Sequence, residues 1–341
     1  MNYIPIIKLK YNEILKAKYI RDYLSHPSII PFLELRFELN KLVRNKCIDN
    51  FIIDANISKY FLGIPHKPEV VGKGAKLNPE DYLTRTNSTI DNYYNETIKL
   101  FSKEECIPVY YVYTDNDFIR LYDFLDYGHD SGRNVAILTT PSYAKKIKKE
   151  KIKNEDFLFL DLYSDKIKSH IPNLNEILAN FMCNIVLIRE NRTRNTYNSV
   201  IELDKNAPLY NDLSNELTDS SLLFIKNSLF GFGDFCGFKN DVNIGSQPID
   251  SSEFYPAIAL YQKQLNPNRF LGIRTSVKKD SGGFKDLKKL VVKRISTIDP
   301  LNQTPLLSFL TNEKTENYAA WNIITQWYYI AVMSINDSWK N

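Results

Sequence analysis

The chain has 341 residues, is 43% hydrophobic and 25% charged, and carries a formal charge of +4 from 44 basic and 40 acidic side chains. That composition excludes global disorder, and only 12 glycines and 15 prolines exclude collagen-like and low-complexity classes. With 4 cysteines and 4 histidines scattered along it, the chain is no metal-rich scaffold, and its length allows one large domain or two ordinary ones.

The N-terminus reads MNYIPIIKLKYNE. Its apolar run at 4–7 is far shorter than a secretory core, and Lys8 and Lys10 follow at once. No later stretch approaches the ~18 apolar residues of a membrane span. Cys47, Cys106, Cys183 and Cys236 lie far apart with no C-x-x-C pair. Reduced thiols in a cytoplasmic protein are therefore expected.

Short apolar, β-branched and aromatic runs recur at 4–9, 29–35, 50–57, 107–113, 134–139, 156–162, 184–189 and 229–238. Most are apolar at consecutive positions, as in parallel strands buried on both faces. Segments of helical period lie between them, at 11–24, 88–101, 118–127 and 174–182, the last with Asn173 as its N-cap. Five of the seven intervals between run starts are 21 to 28 residues, the length of one βα unit. The two longer intervals predict insertions near 60–87 and 191–220. Eight strands alternating with helices predict an α/β fold, a (β/α)8 TIM-like barrel over 1–239. A doubly wound open sheet is the rival, but no glycine follows the first strand.

Beyond 239 the pattern changes. Runs at 257–261 and 271–277 flank Asn266-Pro267-Asn268 and predict an antiparallel hairpin. Helical period returns at 284–298 and at 318–334. Residues 240–341 are read as a hairpin-plus-helix extension packed on the barrel.

Three segments resemble a known family. The opening YIPIIKLKYNE resembles the start of the phage and prophage "Beta protein" family, in which a Tyr-x-Pro-[Ile/Leu]-x-Lys strand precedes a Glu-bearing helix. IIPFLEL, at 29–35, resembles its second strand, which carries Pro and Glu. FGFGDFCGF, at 230–238, resembles its Gly-Asp-Tyr strand, with Phe235 in place of the tyrosine. Residues 255–259 and 271–274 fall where that family has its hairpin. The chain departs from the pattern in its last helix, AAWNIITQWYYIAV, which lacks the family's Asn-His-His cluster. The resemblance implies a barrel, a bacterial or phage setting and a role in phage–host conflict with a protein partner. It implies no reaction.

In a barrel the C-terminal strand ends converge on one mouth, where sites are built. The candidates are Lys8 and Lys10 from strand one, Glu34 and Arg36 from strand two, and Asp54 from strand three. Tyr113 and Asp115 follow from strand four, Thr139 and Thr140 from strand five, and Asp161 from strand six. Strand seven adds Arg189 and Glu190, and strand eight Asp234. A charge within an apolar run needs a partner or an ion, because burying it alone costs several kcal/mol. Four carboxylates (Glu34, Asp54, Asp161, Asp234) around Lys8 could tune a carboxyl for acid–base work. Asp54, Asp161 and Asp234 could instead hold Mg²⁺ for chemistry on a phosphorylated or nucleotide ligand. They could equally be ion pairs that knit strands together.

Other signals are weaker. Gly72-Lys73-Gly74-Ala75-Lys76 lacks the Walker spacing and reads as an insertion loop. The glycines of 231–237 do not have dinucleotide-fingerprint spacing and suit a close backbone approach. His26, His66, His129 and His170 have no helical i, i+4 partner and read as surface or loop residues. Lysines 145, 146, 148, 149, 151 and 153 read as a solvated face. Residues 269–294 hold nine basic against two acidic side chains, a net +7 over 26 residues. Arg269, Arg274, Lys278, Lys279, Lys288 and Lys289 there are candidates for docking DNA, RNA or another polyanion. The aromatics of 318–329 read as core packing, with a homodimer seam as the alternative.

Three functions stay open at this point. They are an interaction or sensing component in phage–host conflict, a metal-dependent barrel enzyme, and a polyanion-binding module.

Overall fold

The computed structural model describes residues 1–9, 17–35, 41–65, 89–163, 165–190, 213–236, 255–262, 269–312 and 317–335. Eight parallel strands close into a barrel in sequence order: β1 (Asn2–Leu9), β2 (Phe32–Leu35), β3 (Tyr60–Gly63), β4 (Cys106–Val112), β5 (Ala136–Thr139), β6 (Phe157–Asp161), β7 (Asn184–Arg189) and β8 (Gly231–Asp234). The fold is the (β/α)8 TIM-like barrel that the run spacing predicts. Every residue of β4 and of β6 is buried, which explains why these strands are apolar at consecutive positions.

One strand lies elsewhere than expected. Residues 50–57, read as the third strand, fall mostly within a helix. Among the described residues, the α-helices that precede β4 are α1 (Arg21–Leu24), α2 (Lys41–Ala55) and α3 (Ile90–Ile98). In α2, Ile48, Phe51 and Ala55 are buried while Ile53 and Asp54 are exposed, a spacing of three and four rather than two. The true β3 is only four residues long and sits inside the expected insertion. The remainder of that insertion, with the Gly72–Lys76 segment, lies outside the described residues, as do 191–212.

The helical layer continues with α4 (Phe118–Asp130), α5 (Pro141–Ala144), α6 (Ile167–Asn180), α7 (Leu213–Glu216) and α8 (Leu223–Ser228). α5 begins at Thr140, whose hydroxyl accepts the Tyr143 N–H, with Pro141 in the first turn. α6 begins seven residues before the expected start and runs through Pro172 and Asn173. A tertiary contact sets its true start: Glu216 accepts the Ile167 N–H at 2.8 Å.

After β8 come a two-stranded antiparallel sheet, β9 (Ala257–Gln262) and β10 (Arg269–Arg274), and then α9 (Gly283–Lys293), α10 (Ile295–Ile298), α11 (Leu306–Asn312) and α12 (Tyr318–Ile335). α12 is more than an appendage. Its Trp327 ring lies 6.3 Å from Phe51 of α2, and the Tyr329 ring lies 6.5 Å from Tyr3 of β1. The Tyr329 hydroxyl donates to Asp234 of β8 at 2.7 Å. α12 therefore covers the seam between β8 and β1, the place of the helix that follows the eighth strand in this architecture. The hairpin and α9–α11 are an insertion before that helix. Trp321, Trp327, Tyr328 and Tyr329 are buried within the chain's own fold. Among the described residues, no helix is long and apolar enough to cross a membrane.

The same seam explains two glycines. A Cβ on Gly231 would stand 2.5 Å from the Asn2 carbonyl oxygen, and one on Gly233 equally close to that of Ile4. Only glycine lets β8 approach β1 this closely. Gly233→Ala is expected to lower unfolding free energy by ~1–3 kcal/mol, because backbone must shift to admit the methyl. Urea denaturation followed by circular dichroism measures it.

Candidate functional site

Which strand-end charges share the mouth depends on which face of each strand they occupy. The ring of Phe32 in β2 lies 5.5 Å from that of Phe159 in β6, and Phe61 in β3 lies 4.8 Å from the same ring. Strands so far apart around the barrel meet only in its interior. Register partners share a face, and the face alternates along each strand. Ile6 is level with Phe32 and Lys8 with Glu34. Asp161 follows Phe159 by two residues, and Tyr111 is level with Leu138, itself level with Phe159. Lys8, Glu34, Tyr111, Tyr113, Asp161 and, by continuation of β7, Glu190 therefore share the inner face at the C-terminal end.

Hydrogen bonds confirm this. Tyr111 donates to Glu34 Oε1 at 2.7 Å, spanning from β4 to β2. Tyr113 donates to Asp161 Oδ2 at 2.7 Å, spanning from β4 to β6. Burial, then the neighbouring carboxylate, holds each tyrosine hydroxyl well above its ordinary pKa, so both remain donors. Lys8 is half-buried, with Nζ 5.1 Å from the centroid of the Phe235 ring, a cation–π contact from the β8 end. Glu190 is buried, and its N–H donates to the Tyr163 carbonyl at 2.7 Å. Tyr163 is 36% exposed and has φ 53°, an uncommon conformation for a bulky residue. Asp161 Oδ1 accepts its N–H at 2.9 Å and holds that turn. The ring stands 6.4 Å from Tyr113. The mouth thus brings together three carboxylates, two of them held by tyrosine hydroxyls, with a cation and an aromatic surface.

The other candidates separate from this group. Arg189 and Asp234 are level with each other and with the outer-face series of Leu187 and Phe232. Arg189 is buried under the helices, pairing through Nη1 with Glu216 of α7 and donating to the Asp165 carbonyl at 3.3 Å. Asp234 accepts the Tyr3 hydroxyl at 2.9 Å, the Tyr329 hydroxyl at 2.7 Å and the Cys236 N–H at 2.9 Å. Asp54 is exposed on α2. Asp54, Asp161 and Asp234 therefore stand outside the barrel, inside it and within its outer wall, and as a set cannot ligate one Mg²⁺. Among the described residues, no three His, Cys, Asp or Glu side chains are grouped to hold a metal ion. Lys10 and Arg36 lie outside the described residues.

Of the histidines, His129 corrects the surface reading. It sits in α4, largely buried, with Nε2 2.9 Å from Asp156 Oδ2, at the opposite end of β6 from Asp161. His170 lies in α6, 3.3 Å from Asp165, and His66 lies outside the described residues. In the basic segment, Arg274, Lys285, Lys289, Lys293 and Arg294 are exposed, while Lys278, Lys279 and Lys288 are half-buried. Arg269 is in β10.

The sequence reading named Lys8, Glu34, Asp161 and Tyr113, but not the partners that organise them. Tyr111 and Tyr113 carry a readable signal, two tyrosines at strand spacing before a turn. Tyr163 and Phe235 are positioned by turns and leave no comparable pattern. No family model matches the chain, and no curated protein matches it significantly.

Three expectations follow. Asp234→Ala orphans two buried hydroxyls at ~1–3 kcal/mol each, so stability falls by about 2–6 kcal/mol. Asp161→Asn, whose Oδ1 still accepts the Tyr163 N–H while its amide group donates to the Tyr113 hydroxyl oxygen, leaves the denaturation midpoint near that of the wild type. At alkaline pH, Tyr3, Tyr111 and Tyr113 retain protons in the folded state that the unfolded chain releases near pH ~10. Their raised pKa values stabilise the fold in full below that pH. Stability then falls as pH rises further, by up to ~1.4 kcal/mol per pH unit for each tyrosine. Absorbance at 295 nm should show these three ionising only as the chain unfolds.

Proposed function

We propose that the chain is a Beta-family barrel acting in the cytoplasm as a binding or sensing component of phage–host conflict, with the barrel mouth as its ligand site. The observation that carries the site is the convergence of Lys8, Glu34 and Asp161 on the inner face, with Tyr111 and Tyr113 locking the two carboxylates. Carboxylates held by tyrosine donors are fixed acceptors, and fixed groups bind with little loss of side-chain freedom. Lys8 adds a donor and Tyr163 a partly exposed ring, a combination suited to a small polar ligand with a flat or ring-shaped face. The setting rests on the resemblance of the first, second and eighth strands, and two of the residues that carry it, Lys8 and Glu34, belong to the mouth.

The test is phage challenge of a host expressing the chain. The expected result is altered plating efficiency with the wild type, lost with Lys8→Met and with Asp161→Asn although both variants accumulate as folded protein. Plating that is unaffected by the wild type across a diverse phage panel would sink the conflict role. Variants as active as the wild type would remove the mouth from it.

A further inference from the structure

We propose that the outer face of α9 docks the phosphate backbone of duplex nucleic acid, independently of the mouth. α9 buries Phe284, Leu287 and Val291 on one side. On the other, Lys285, Lys289 and Lys293 are exposed at intervals of four residues, and Arg294 follows directly. Four residues of helix rise ~6 Å, so the three lysines form a row ~12 Å long on one face. Arg274, also exposed, extends the basic surface from β10, which packs against α9. Its guanidinium lies 5.0 Å from the Tyr255 ring centroid.

Among the described residues, this face has no ion-pair partners. In the other lysine run, at 145–153, three of the six are paired across neighbouring elements: Lys145 with Glu176 at 3.0 Å, Lys146 with Asp115 at 2.7 Å and Lys151 with Asp126 at 2.9 Å. Lys99, Lys103 and Lys168 are paired likewise. Among the described residues, Lys285, Lys288, Lys289, Lys293 and Arg294 make no ion pair. The acid within the helix, Asp286, accepts the Thr275 hydroxyl. Asp299, beyond α10, is buried and taken up by Thr304 and the Gln303 N–H. Five basic side chains of the segment thus stand close together without an ion pair among the described residues.

The chemistry selects the partner. The apolar side of α9 is committed to the core, so the helix cannot lay it into a bilayer. Among the described residues the outer side of α9 offers Val292 but no aromatic ring, and the Tyr255 ring at its margin is taken up by Arg274, so unpaired bases have little on which to stack. Cations without stacking groups suit a regular array of phosphates, and a duplex concentrates these at one charge per ~1.7 Å. Binding is then insensitive to base sequence and steeply sensitive to salt.

The experiment is fluorescence anisotropy of the full chain with a short labelled DNA duplex across a salt series. Four or five phosphate contacts predict a slope of log K against log salt of about −4. Lys285→Gln, Lys289→Gln and Lys293→Gln combined should weaken binding and make the slope shallower by about 3, with the melting temperature unchanged. The matched change of Lys145, Lys146 and Lys151 to Gln, and Lys8→Met, should leave binding as in the wild type. Absence of duplex binding at low salt, a triple variant that binds like the wild type, or tighter binding to single strands or phosphatidylserine vesicles would each overturn the proposal.

Discussion

An eight-stranded barrel exists only if its last strand meets its first, and here that meeting is made by the close approach of β8 to β1. Gly231 and Gly233 remove the side chains that would hold the strands apart. Asp234, one residue on, turns outward and accepts hydroxyls from Tyr3 on β1 and Tyr329 on α12. A buried carboxylate is costly unless fully hydrogen-bonded. This one is satisfied only when the first strand, the last strand and the final helix are in place together. The seam is thus specific as well as stable, because another register would leave the charge without its donors.

The position of the mouth follows from that closure. Register between β1 and β2 sets Lys8 level with Glu34, and the register of β4 through β6 sets Tyr111 and Tyr113 where they span the interior. Asp161 and Asp234 stand in similar local turns, each accepting the N–H two residues on, with that residue at φ 53°. One faces inward and belongs to the mouth. The other faces outward and belongs to the wall. The same short piece of backbone chemistry therefore serves ligand presentation on one strand and closure on another, and strand parity alone decides between them.

Parity also explains what was legible beforehand. Seven of the strands announce themselves as apolar runs because both their faces are buried. The third does not, because β3 is four residues long and the longer run before it winds as a helix with Phe51 inward and Ile53 outward. Runs of that length do not separate strand from helix. The charges at strand ends were visible as candidates, Lys8, Glu34 and Asp161 among them. That Arg189 and Asp234 face away from the mouth depends on register around the whole ring, which no local pattern encodes. That Lys145, Lys146 and Lys151 are paired was equally hidden, since their acidic partners come from elsewhere in the chain.

The helix that covers the seam is also made well after the strands it covers. All eight strands leave the ribosome before α12 does, so a nascent barrel has its parallel sheet complete while the outer face of β1 and β8 is still bare. Contacts between Tyr3 and Tyr329 join residues far apart in sequence, and such long-range contacts form late and slowly. Until then the aromatic surface meant for α12 is open to anything that can cover it. The hairpin and helices between β8 and α12 lengthen that interval, and with it the time during which the growing chain depends on protection from its surroundings.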